Sequence, residues 1–134
     1  MDFAKTTLYP IVQLSAPYED ARGTIQNLFT EGMQSGALIT SKAGTRRADH
    51  YHKTGNHLCL LLSGVLIYRW RPVGKNTKPN ALTITPGLAF FSPPMVEHSM
   101  EFVVDSTFLS FDSKVTRDHE GYENDLVRLA EPLR

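Results

Sequence analysis

Helical periodicity is nearly absent from this chain, and that absence constrains its fold more than any other feature. In its place come short runs rich in β-branched, aromatic and leucine residues, each closed by a turn signal. The runs expected to form strands are Thr24–Phe29, Gly36–Ser41, Arg46–His52, His57–Ser63, Val65–Arg71, Ala81–Thr85, Leu88–Ser92, Ser99–Val104 and Thr107–Asp112. Between them lie Gly32, Gly44, Thr54-Gly55-Asn56, Ser63-Gly64, the stretch from Gly74 to Asn80, Pro86-Gly87 and Pro93-Pro94. About nine short strands in about a hundred residues suit an all-β jelly roll, two antiparallel sheets packed face to face. Residues 1–15 read as an N-terminal arm or edge strand. Residues 116–134 read as a polar C-terminal tail anchored by Tyr122, Leu126, Val127, Leu129 and Leu133. The core is expected from Leu58, Leu60, Leu62, Val65, Ile67, Phe90 and Val103.

Length and composition limit what such a barrel does. The 134 residues suit one domain spanning 1–134. Fourteen basic side chains balance fourteen acidic ones, and the only basic clusters are Arg46-Arg47 and Arg69-Arg71. A nucleic-acid partner is therefore not expected. No stretch approaches the ~20 apolar residues of a membrane helix, and the start of the chain carries no signal-peptide pattern. The one cysteine, Cys59, rules out an internal disulfide and favours a reducing, cytoplasmic setting.

Four of the five histidines fall in two segments, and only His119 lies elsewhere, in the tail. The first runs from Gly44 to Gly64 and carries His50, His52 and His57. Side chains two apart on a strand share a face, so His50 and His52 project together, their Cα atoms roughly 6–7 Å apart. His57 opens the next strand, and it nears the pair if the two strands fold back on each other. It shares its face with Cys59, Leu61 and Ser63, while Leu58, Leu60 and Leu62 take the other. Cys59 reads first as a small core residue, with a soft-ligand role left open. In the second segment, Gly87 to Phe102, the rigid Ser92-Pro93-Pro94 turn delivers His98 to the start of a strand. Asp49 and Glu97 flank His50 and His98 and are expected to face solvent. Arg46-Arg47 is most simply a solvated pair, and Trp70 reads as sheet packing or an interface anchor.

The spacing of these residues resembles the cupin superfamily. The first segment is similar to the motif G-x5-H-x-H-x4-E-x6-G, with His57 in place of Glu; the second is similar to G-x5-P-x-G-x2-H-x3-N, with Met95 and Phe102 as departures. The resemblance implies a cupin-type double-stranded β-helix and one divalent transition metal (Zn, Fe, Ni, Mn or Cu) held by His50, His52, His57 and His98. Replacing Glu by His keeps a ligand but removes a negative charge. A narrower resemblance covers nearly the whole chain. Asp20-Ala-Arg22-Gly23-Thr-Ile25 and Ala43-Gly44-Thr-Arg46-Arg47-Ala-Asp-His50-Tyr-His52-Lys53 are similar to the nucleotide-sugar cupins, the dTDP-4-keto-6-deoxyhexose epimerases and 3,4-ketoisomerases. There the implied chemistry is metal-free proton transfer, with His50 as base, His52 as its partner, and Arg46 or Arg47 holding a diphosphate.

The expected function is therefore a metal-binding cupin acting on a carbohydrate or nucleotide-sugar intermediate, with Arg46, Arg47 and Cys59 as candidate substrate contacts. The alternatives are a metal-free keto-sugar isomerase or epimerase using His50 and His52, and a small-molecule binding module without catalysis. A homodimer is expected from the same resemblance, and from the arm together with Tyr68 and Trp70, which look exposed in the sequence.

Overall fold

The computed structural model describes residues 9–114 and 124–134. Tyr122, His119 and the arm up to Leu8 lie outside the described residues. The elements bounded within the described residues are strands, and their pairing is antiparallel throughout. In chain order they are β1 (Ile11–Val12), β2 (Tyr18–Asp20), β3 (Gly23–Ile25), β4 (Ser35–Ser41), β5 (Arg46–His52), β6 (His57–Ser63), β7 (Leu66–Pro72), β8 (Asn80–Ile84), β9 (Ala89–Ser92), β10 (Val96–Phe102), β11 (Ser106–Asp112) and β12 (Leu126–Arg128). One sheet runs β1-β9-β6-β11-β4, the other β12-β5-β10-β7-β8, and β2 pairs with β3 as a separate hairpin. From β4 to β7 and again from β9 to β12 successive strands alternate between the two sheets, with β7 and β8 paired as neighbours in one of them, which is the jelly-roll arrangement expected from the turn spacing.

The core lies between the sheets. It is built from Cys59 and Leu61 on β6, Leu66 and Tyr68 on β7, Ile84, Phe90, Phe102 and Phe108. A smaller cluster of Val12, Leu58, Ala89 and Phe91 fills the space between the first sheet and the arm. β6 is thus buried on both faces over much of its length, which is why it reads as an unbroken apolar run.

Of the seven residues expected in the core, two are buried, three are partly buried and two are exposed. Leu58 and Phe90 are buried, whereas Leu62 is 47% exposed and Val103 52%. The face of β6 that carries His57, Cys59 and Leu61 is the one turned to the other sheet. Both faces of β6 are apolar, so alternation alone could not tell inside from outside. Tyr68 is likewise fully buried, its hydroxyl 2.8 Å from Ser92 Oγ, and Trp70 is half-buried against Tyr9. Neither is the exposed aromatic that the sequence suggested. Phe29 and Val104 fall outside strands, and β10 starts at Val96, which puts His98 inside the strand. The tail supplies β12, an edge strand on β5, with Leu126 and Leu133 buried. The turn between β6 and β7 needs glycine: Gly64 has φ 98°, and a Cβ there would collide with Ser106.

Candidate active site

Two sheets contribute to one cavity of about 370 Å³ between them. Its polar wall is made by His50 and His52 on β5, His98 on β10 and His57 on β6, with Arg47, Cys59, Ser92, Ser110 and Arg128 among the other lining residues. His98 sits directly across from His50 in the β5–β10 ladder. The ring centroids are 4.8 Å apart for His50 and His52, 4.9 Å for His50 and His98, and 4.2 Å for His52 and His57. Both sequence segments therefore deliver their histidines to the same place.

Each ring is held differently. The His98 Nδ1 lies 3.0 Å from the Val96 carbonyl oxygen, which can only accept, so Nδ1 carries the proton and Nε2 is bare. The His52 Nδ1 faces the Asp125 carboxylate at 3.5 Å, and that again favours the proton on Nδ1. Asp125 stays ionised: against the effect of burial, hydrogen bonds from Thr54 and Gly55 hold its carboxyl below the usual range. The His50 Nδ1 has no hydrogen-bond partner among the described residues. His57 lies on the opposite wall, with Nε2 3.0 Å from Asp112 Oδ2 and Nδ1 3.4 Å from Ser110 Oγ.

Burial sets the charge state of three of the four. It pushes His50 down to about 2, helped by its histidine neighbours. His98 falls to about 3, again through burial, with the Val96 carbonyl opposing the shift. Burial and then His57 take His52 down to about 4, with Asp112 and Asp125 opposing. All three are neutral near pH 7, each with a lone pair to offer to a proton or to an ion.

His50, His52 and His98 present donor atoms that all lie within 4.8 Å of one another. A neutral, buried, all-imidazole set with two rings anchored through their far nitrogens has the chemistry of a transition-metal site. His57 stands outside that group, and it would have to leave Asp112 to complete the expected four.

The arginines and the acidic neighbours differ from the sequence picture. β5 carries an extra residue opposite β10: His50 pairs with His98, yet Ala48 pairs with Ser99 and Arg47 with Met100. The bulge puts Arg47 across from Met100 and Arg46 across from Glu101, and both arginines reach the lining of the cavity. Arg47 donates to Ser41 Oγ and the Thr40 carbonyl. The guanidinium of Arg46 is bound by Asp49, Glu101 and the Leu133 carbonyl, so Arg46 is no simple solvated cation. Asp49 and Glu97 do not face solvent as expected but are partly buried in ion pairs, with Arg46 and Arg71. Cys59 is packed in the core beside Ser110, and burial raises its thiol to about 12. It lines the cavity as a protonated thiol.

Sequence reasoning missed Asp112, Ser110, Asp125 and Arg128. The first two had a signal, since Phe108, Ser110 and Asp112 share one face of an expected strand. Asp125 and Arg128 had none, because only the docking of β12 on β5 brings the tail to the histidines.

QdtA from Thermoanaerobacterium thermosaccharolyticum, a sugar 3,4-ketoisomerase in complex with TDP, superposes with a TM-score of 0.66 at 18% identity, over 92% of this chain and 91% of that one. The fold is a cupin-type jelly roll. RmlC from Legionella pneumophila, a dTDP-6-deoxy-D-glucose-3,5-epimerase in complex with dTDP-4-keto-L-rhamnose, gives 0.63 at 15% identity, over 84% of this chain and 68% of that one. The capsular polysaccharide assembling protein CapF from Staphylococcus aureus gives 0.64 at 20% identity over 88% of this chain, which spans only 34% of CapF. No protein-family model and no curated protein matches the sequence. No helix among the described residues is long and apolar enough to cross a membrane.

Proposed function

We propose that this protein isomerises or epimerises a keto sugar carried on a nucleoside diphosphate, by proton transfer at carbon next to the carbonyl. The observation that carries this reading is His52, oriented by Asp125 and neutral, beside neutral His50 in the cavity between the sheets. His50 takes the proton from the carbon α to the carbonyl, and the electrons move onto the carbonyl oxygen. Its partner His52 serves that oxygen and the adjoining hydroxyl. Delivery of that proton to the neighbouring carbon, while His52 moves the adjoining hydroxyl's proton to the former carbonyl oxygen, gives a ketoisomer; protonation of the original carbon from the opposite face by a second acid gives an epimer. Atoms and electrons balance within the substrate. Arg47 and Arg128 line the same cavity and suit the diphosphate. The ligands of QdtA and RmlC are of the same class.

A second reading rests on the three-histidine group. His50, His52 and His98 would hold a divalent transition ion, and such an ion polarises a carbonyl or enediol oxygen. We also infer a homodimer, because β4 leaves one edge open among the described residues and exposes Leu38. The single buried thiol suits a cytoplasmic setting.

The test is solvent exchange. The purified protein, analysed for metal and then treated with chelator, is incubated with a thymidine diphosphate 4-keto-6-deoxyhexose in deuterated water. Deuterium entering the carbon beside the carbonyl, and lost in His52→Ala, is the expected result. Exchange that vanishes with the metal would favour the second reading, and tight binding with no exchange under either condition would reduce the protein to a binding module.

A further inference from the structure

Two consecutive non-glycine residues, Ala48 and Asp49, have left-handed backbones, with φ 69° and 55°. They form the bulge of β5 and immediately precede His50. A conformation this costly for a side-chain-bearing residue persists where the surroundings over-determine it. Here the surroundings are the end of the chain. The Leu129 amide donates to the Asp49 carbonyl at 2.9 Å, and the Leu133 amide donates to Asp49 Oδ1 at 2.9 Å. Arg46 closes the ring: its Nη2 donates to Asp49 Oδ1 at 2.9 Å and to the Leu133 carbonyl at 3.0 Å. Ser99, opposite the bulge, donates its hydroxyl to that same carbonyl at 3.2 Å. Leu133 is buried, so the strap is packed down as well as hydrogen-bonded.

We infer that Asp49 is a positioning residue for His50, and that the C-terminal residues 129–133 belong to the site through it. The bulge does two things at once. It sets the register in which His50 meets His98, and it puts Arg47 rather than Arg46 across from Met100. A regular β5 would place Asp49 opposite Ser99, Ala48 opposite Met100 and Arg47 opposite Glu101. The carboxylate of Asp49 is the one group that bonds to the strap, to Arg46 and, through its own backbone, to Leu129. The catalytic consequence rests on the proposed role of His50; the structural one does not.

The test uses the full chain and two substitutions at one position. Glycine accepts a left-handed backbone more readily than aspartate, so Asp49→Gly removes the clamp without adding strain. Asparagine also tolerates that backbone and keeps an oxygen for the Leu133 amide. Asp49→Gly is expected to fold and yet to shift the imidazole NMR resonances of His50. It is also expected to lower turnover in the exchange assay by about a hundredfold, the scale of an ångström of misplacement. Asp49→Asn is expected to restore both. His50 resonances and turnover unchanged in Asp49→Gly would overturn the inference. So would equal damage in both variants, since the conservative change would then rescue nothing. If Asp49→Gly does not fold, a chain ending at Pro132 removes the Leu133 bonds from the other side, and unchanged His50 resonances there overturn the inference equally. The resonances decide the positioning claim by themselves; absence of exchange in the parent protein counts against the proposed function alone.

Discussion

His52 is 1% exposed, faces Asp125 and lies against the ring of His57. Replacing it by alanine takes a proton-transfer partner from the cavity and leaves Asp125 its Thr54 and Gly55 bonds. Exchange activity is expected to vanish at a folding cost of about 2 kcal/mol, measured by denaturant unfolding. Outright unfolding would make the imidazole structural. Asp125→Asn is milder: the amide fills the same volume but no longer favours the proton on Nδ1. Turnover is expected to fall by about a hundredfold or more while the fold stays intact. Acid should also find the histidines. Their folded values lie below the ordinary 6.5, at about 2, 4 and 3 for His50, His52 and His98. A depressed histidine contributes stability that is complete above the unfolded value and is lost as pH falls from there toward the folded one. The unfolding free energy is thus expected to drop between pH 6.5 and 4, with His52 alone accounting for about 3 kcal/mol. A flat profile over that window would mean the rings are not buried neutral.

At the scale of elements, β6 is the informative strand. Leu61 is fully buried between the sheets, and Leu62, its neighbour, is 47% exposed. Leu61→Ala is expected to cost about 2–5 kcal/mol, and Leu62→Ala well under about 1 kcal/mol. Equal losses by thermal or denaturant unfolding would show that the strand does not keep this register. The contrast also shows what was legible. Strand positions and turns were, because glycine, proline and asparagine mark them. The inward face of β6 was not, because leucines occupy both faces and only the approach of the second sheet chooses between them. The bulge in β5 was hidden for a related reason. Nothing in Arg46-Arg47-Ala48-Asp49 announces an extra residue, and strict alternation would set Arg47 across from Glu101 instead of Met100.

For the molecule as a whole, the open edge matters. β1 from the chain's own arm covers β9, and β12 from its tail covers β5, whereas β4 and β8 bound their sheets among the described residues, and β4 carries the more exposed leucine. Leu38 on β4 is 66% exposed. A homodimer at micromolar concentration is expected by sedimentation, and Leu38→Lys is expected to shift it toward monomer. A parent that sediments as a monomer ends the dimer reading.

The sequence by itself determined the architecture and the four histidines, because turn residues and motif spacing are local properties that survive in one dimension. Tertiary structure decided what those histidines are. Asp125 reaches His52 across 73 positions of sequence by the docking of a three-residue strand, and Asp112 reaches His57 only through the pairing of β11 with β6. Side-chain charge and tautomer follow from such neighbours and from burial, and both exist only once distant parts of the chain have packed together.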